Sequence, residues 1–212
     1  MTVTAETSTD AFRFLDPGPL ADRELELVTP EERWVDAVVA SCQHPLTRAE
    51  TPGDQPADPW TTRQRLLDFL AAAPGGRQPA DPARGWAPQY NFWMVLRERG
   101  LLWRPSPRAA GGVSLRIGTG HEIEMYYGHI GYHVYPPFRG RRLSERACRL
   151  LLPLCRAHGL TTLWITCNPN NHASRRTCER LGMRLAGVVQ VPESDPLFQR
   201  GEREKCRYYL TL

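Results

Sequence analysis

Gly128-His-Ile-Gly-Tyr-His-Val-Tyr-Pro-Pro-Phe-Arg-Gly-Arg-Arg-Leu-Ser144 reads as a strand that runs through Pro136 into a basic turn, and the turn opens a helix. In residues 128–135 alternation places His129 and His133 on one face of the strand, opposite Ile130 and Val134. From Leu143 the period changes. Leu143, Ala147, Leu150, Leu151 and Leu154 recur at helical spacing until Gly159, so a helix is predicted over 143–158, kinked at Pro153. A helix start carries unpaired backbone N–H groups and the positive end of the helix dipole, which together suit a pyrophosphate.

Outward from this stretch the elements fall into order. Downstream, residues 162–166 form a short apolar strand, 173–181 a helix ended by Gly182, and 183–191 and 206–212 two final strands. Upstream, 90–96, 112–117 and 128–135 are three strands in succession, which predicts an antiparallel meander. Residues 24–28 alternate as a strand, and Thr29-Pro-Glu-Glu32 opens a helix to about Cys42 with Thr29 as N-cap. Leu66, Leu67, Phe69 and Leu70 give a second helix over 61–73. Residues 45–59 and 74–88 are dominated by turn formers and are expected as loops, the second near a substrate entrance. Residues 1–22 lack periodicity and are expected as a flexible tail, leaving 23–212 as one domain of α/β (α+β) class without internal repeats.

Composition excludes several functions. With 41% hydrophobic and 24% charged residues and no long apolar run, the chain is expected to be soluble, with no membrane partner. The start of the sequence lacks the basic and apolar regions of a secretory signal, so a cytoplasmic location is expected. Six scattered cysteines without a CxxC pair suggest reduced thiols, no disulfide scaffold and no metal. The net charge of +4 is small, yet Arg139, Arg141, Arg142, Arg146 and Arg149 cluster. A cluster at a helix start suits phosphates, whereas nucleic acid would want a broader basic face, and no nucleic-acid partner is expected.

The run Val134-Tyr-Pro-Pro-Phe-Arg-Gly-Arg-Arg-Leu-Ser144 resembles the acetyl-CoA motif of the GNAT superfamily of N-acetyltransferases, a V-x-P strand end followed by [QR]-x-x-G-x-[GA]. Arg139 matches the first position, while Arg142 and Ser144 stand where glycine and a small residue are usual. Downstream, Cys167-Asn-Pro-Asn-Asn-His-Ala-Ser-Arg-Arg-Thr-Cys-Glu-Arg-Leu-Gly182 is similar to the family's N-x-x-[AS]-x-x-x-Y-E-K-x-G-F, with Cys178 in place of the tyrosine. The resemblance, closest to a bacterial branch, implies a GNAT fold: a mixed, mostly antiparallel central sheet flanked by helices. The CoA site then lies where two central strands splay apart and at the start of the helix that opens at Leu143. It implies His133, Val134, Arg139, Gly140, Arg141, Arg142, Leu143, Ser144, Asn171 and Ser174 as residues binding acetyl-CoA, another acyl-CoA or an acyl-phosphopantetheine.

The implied chemistry is direct attack of an amine on the thioester, which needs a base, an oxyanion donor and a proton for the thiolate. By resemblance the oxyanion donor is the backbone N–H of Val134. Glu122, Glu124 and His129 are candidate bases, with a water relay as the alternative. Cys178 is a candidate acid in place of the usual tyrosine, or a core residue. His133 is expected to be packed or hydrogen-bonded rather than catalytic, and Trp60, Trp86, Tyr90 and Trp93 are candidate pocket or core residues. The expected acceptor is a small-molecule amine. The alternatives are a donor borne on an acyl carrier protein that docks on the arginine cluster, or a CoA-binding module without catalysis. The family also suggests a homodimer.

Overall fold

The computed structural model describes residues 12–50, 62–97 and 108–212. Five strands form the first sheet: β1 (Leu25–Val28), β2 (Arg77–Gln78), β3 (Gln89–Leu96), β4 (Arg108–Arg116) and β5 (Ile130–Val134). They lie in the order β1-β3-β4-β5, with β2 beside β3, and every pairing is antiparallel. The second sheet holds β6 (Thr162–Cys167), β7 (Arg184–Gln190) and β8 (Glu204–Thr211) in the antiparallel order β6-β8-β7. The meander expected from residues 90–135 is present.

Among the described residues six α-helices flank the sheets: α1 (Val35–Cys42), α2 (Pro45–Ala49), α3 (Arg63–Ala72), α4 (Leu143–Ala157), α5 (His172–Arg180) and α6 (Pro196–Gln199). In α4 four of the five residues of the stripe read from the sequence, Leu143, Ala147, Leu151 and Leu154, are in the core, and Leu150 is half-buried at its edge. Each leucine buried there contributes about 1.5–3 kcal/mol of transfer free energy. Pro153 lies inside α4 without ending it. The β3–β4–β5 core beneath α4 is Tyr90, Met94, Leu115 and Ile130.

Several boundaries differ from the expectation. Residues 12–22, expected within a tail, are docked: Phe12 stacks on His158, Leu15 N–H donates to the Tyr90 hydroxyl at 2.6 Å, and Leu20 is buried. Phe12, Phe14 (edge-on to Tyr90 at 4.9 Å) and Leu20 anchor this segment without periodicity; the first half of the expected tail, 1–11, lies outside the described residues. The first helical turn starts at Glu32, and Thr29 bonds the Glu31 carboxylate instead of capping. Within 45–59 the chain forms α2, capped by the His44 side chain on the Leu46 N–H; Trp60 and 51–61 lie outside the described residues. The stretch 74–88 contributes β2, and a π-helical turn (Ile123–Tyr127) leads into β5.

Candidate active site

The two sheets meet at one point and then part. His129 N–H donates to Trp164 O at 2.7 Å, and the Trp164 N–H donates back to the His129 ring Nδ1 at 2.9 Å. Gly128, at φ 67°, permits this approach, since a Cβ there would stand 3.0 Å from Thr166 N and 3.2 Å from Ile165 Cα. Beyond His129, no strand among the described residues pairs with the outer edge of β5.

That edge carries donors. Tyr135 N–H donates to Ala110 O at 2.9 Å, and His133 pairs with Gly112. N–H groups alternate between the two sides of a strand, so Tyr132 and Val134 turn theirs away from β4 and into the gap. The Val134 carbonyl also lies on this side and accepts from Arg139 Nε at 3.1 Å.

At the head of the gap stands the start of α4. Its N-cap is Arg142, at φ 55° and ψ 30°, with no side-chain cap, so the first-turn N–H groups of Leu143, Ser144 and Glu145 are open. Arg142 is the only non-glycine among the described residues at positive φ, and it occupies the backbone conformation glycine favours at this place in the family motif. Gly140 precedes it at φ 81°. The donor set therefore fits a pyrophosphate, and the edge of β5 fits the amides of a pantetheine arm.

Most of the arginine cluster is engaged in ion pairs. Arg139 binds Glu50 at 2.6 Å, Arg146 binds Asp22 at 2.5 Å and Glu24 at 3.3 Å, Arg149 binds Glu145 at 3.1 Å, and Arg141 stands 3.7 Å from Glu24. Arg146 holds the Asp22 carboxyl well below the usual carboxylate range. Arg142 is exposed and has no carboxylate partner among the described residues.

His129, expected as a possible base, is spent on structure. It is 1% exposed; Nδ1 accepts from Trp164, so the proton sits on Nε2, which donates to Gly118 O at 2.8 Å. Burial pushes its pKa down. Neither nitrogen is left for an amine. Glu122 is exposed and Glu124 half-buried beside the π-turn, whose Glu124 carbonyl accepts from Arg207. His133 is exposed, its ring 5.2 Å from Tyr135. Tyr90 and Trp93 are core residues, and Trp86 is exposed beneath Arg84.

Cys178 is fully buried, and burial pushes its thiol up to about 12. Beside it lies a group the sequence reading missed. The Tyr132 hydroxyl pairs with Ser174 Oγ at 2.8 Å in the first turn of α5, and burial raises its pKa further. The available signal was alternation, which puts Tyr132 on the same face as Val134. Asn171 caps α5 by accepting the Ser174 N–H at 3.1 Å, which leaves its amide NH2 available. Among the described residues no group of three or more His, Cys, Asp or Glu could hold a metal ion, and no helix is long and apolar enough to cross a membrane.

Comparison with known proteins agrees with this geometry. The sequence profile of the acetyltransferase (GNAT) domain matches residues 24–184. No curated protein sequence matches the chain. The microcin C7 self-immunity acetyltransferase MccE, solved with acetyl-CoA and AMP, is 19% identical at a TM-score of 0.62, over 90% of this chain and 94% of its own. The ribosomal L7/L12 alpha-N-protein acetyltransferase RimL, solved with coenzyme A, is 17% identical at 0.61, over 92% and 98%. A GNAT-family acetyltransferase from Bacillus anthracis is 16% identical at 0.59, over 91% and 98%. At these identities the likeness speaks for the fold.

Proposed function

The chain belongs to the GNAT acetyltransferase family, and from that premise we propose that it transfers an acetyl group from acetyl-CoA to the amine of a small molecule. The observation that carries the donor half is the open outer edge of β5 beside an uncapped α4. The ion pairs within the arginine cluster leave little basic surface for an acidic carrier protein, which favours CoA as the thioester's bearer.

Acetyl-CoA supplies an activated acyl carbon. The first-turn N–H groups of α4, with Ser144 and Arg142, hold the pyrophosphate, and Arg139 props the Val134 carbonyl so that the strand edge keeps its direction. The Val134 N–H, fixed by the β4 ladder, polarises the thioester oxygen without reorganising. The amine loses its proton to Glu122 or Glu124, directly or through water. Ser174, backed by Tyr132, presents a hydroxyl for the departing thiolate, a role the sealed Cys178 is less suited to fill.

Calorimetric titration with acetyl-CoA and CoA tests this, with Ser144→Asp as the variant. A carboxylate in the first turn of a helix is favourable for the helix but repels a pyrophosphate. CoA affinity is expected to fall about tenfold or more while the variant stays as stable as the parent. Absence of CoA binding by folded parent protein would sink the proposal.

A further inference from the structure

The face of the first sheet opposite α4 is unusually polar. Strand pairing places Gln89 beside Arg116 and Asn91 beside Ser114 on β3 and β4, and Gly131 of β5 beside Ser114. Gln89 and Asn91 tie to each other at 2.7 Å and to Gln78 at 3.0 and 3.1 Å, so these amides largely satisfy one another. Arg116 does not share in this. Its Nη1 donates to Tyr127 O at 3.4 Å and Gly128 O at 3.3 Å, long for N–H···O bonds, and among the described residues Nε and Nη2 have no hydrogen-bond partner.

No carboxylate lies within ion-pair distance of Arg116 among the described residues, in contrast to Arg63, Arg97, Arg139, Arg146 and Arg149. The side chain is partly withdrawn from water, and burial pushes its pKa down, so the fold bears a cost for keeping a cation there. The guanidinium lies over Gly131 of β5. A Cβ at Gly131 would stand 3.2 Å from Ser114 Oγ, 3.7 Å from Nη1 and 4.0 Å from Nη2, so the glycine lets the Ser114 hydroxyl and the guanidinium lie close against β5.

We propose that Arg116 anchors a carboxylate carried by the acceptor, so that the small molecule acetylated is an amino acid rather than a simple amine. The inference rests on the acetyl-transfer reading and names its substrate class. The two N–H donors left on the guanidinium edge match the two oxygens of a carboxylate. Gly131 precedes Val134 by three residues, about 10 Å of strand. An acceptor held at Arg116 therefore reaches the thioester with a nitrogen several bonds from its carboxylate.

The test is a panel of ω-amino acids from glycine to 6-aminohexanoate, each matched with the amine that lacks the carboxyl group. Thiol release from acetyl-CoA is followed in the parent, Arg116→Gln and Gly131→Ala. The longer acids are expected to exceed their matched amines in kcat/KM on the order of 100-fold, mainly through KM, and Arg116→Gln is expected to erase that ratio. Gly131→Ala, whose added methyl presses on Ser114 Oγ and the guanidinium, is expected to lower it. CoA titration of each variant reports folding and the donor site separately, so a parent that fails to bind CoA indicts the acetyl-transfer reading instead. Equal use of acids and amines by the parent, or a preference that survives Arg116→Gln, would overturn the proposal. So would acetylation of an acidic peptide with none of the small acids accepted.

Discussion

Arg142→Gly offers a direct measure of how this chain keeps the donor loop. Arg142 sits at φ 55° and ψ 30°, its carbonyl accepting the Arg146 N–H at 3.1 Å, while its exposed side chain has no hydrogen bond or ion pair to the rest of the described protein. An L-residue in that region costs about 1–2 kcal/mol relative to right-handed backbone, and glycine pays almost none of it. Glycine's greater freedom in the unfolded chain returns about 0.5–1 kcal/mol. The net is a gain of about 0.5 kcal/mol, or about 1–2 °C in Tm for a chain of this size. Arg142→Ala sheds the guanidinium but keeps the strained φ, so its stability should match the parent's and fall short of the glycine variant's by about 0.5 kcal/mol. If the guanidinium meets the pyrophosphate, both variants should lose about tenfold in CoA affinity, and by the same factor. Urea unfolding and CoA calorimetry on the three proteins give both readouts. An alanine variant as stable as the glycine variant would refute the backbone argument, and unchanged CoA affinity in both would remove Arg142 from the phosphate site.

Two further outcomes follow from the geometry. Removing the His129 ring in His129→Ala leaves the Gly118 carbonyl and Trp164 N–H without partners at the junction of the sheets, and a loss of about 2–4 kcal/mol in urea unfolding is expected. Because His129 and His158 are both held below their ordinary pKa, the unfolded chain binds more protons in acid; stability is full above about pH 6.5 and falls as pH drops toward the folded values. His129→Gln should flatten part of that fall, and an unchanged slope would contradict it. In steady-state acetyl transfer, Tyr132→Phe and Ser174→Ala should lower kcat about 10- to 100-fold and raise the pKa of bound CoA thiol, read by thiolate absorbance, whereas Cys178→Ser should do neither. In the same assay, whichever of Glu122→Gln and Glu124→Gln loses the acidic limb of the kcat/KM profile identifies the base, and a limb kept by both removes the turn from the mechanism.

What the sequence disclosed and what it hid divide along one physical line. The strand through Val134, the turn at Gly140 and the helix from Leu143 are specified by residues within a few positions of one another, and the spacing that marks them survives in one dimension. The neutralised arginines are the opposite case. Asp22 meets Arg146 across 124 residues and Glu50 meets Arg139 across 89, so a run of like charge in the sequence is a set of mixed pairs in space.

His129 shows the same limit. Period-two alternation counts it with His133, yet the chain bends before β5, and the bend turns its N–H to Trp164 and its ring into the core. The histidine that looked available is the one the sheets depend on. The family motif points to Cys178 as the acid, in the tyrosine's place, whereas the hydroxyl that reaches α5 comes from β5, a strand whose distance from that helix no spacing records. Arg116 carries this furthest. On the sequence it is one arginine ending a strand; what singles it out is the absence of a carboxylate around a half-buried cation and the absence of a side chain at Gly131, and an absence of that kind exists only once the sheet is assembled.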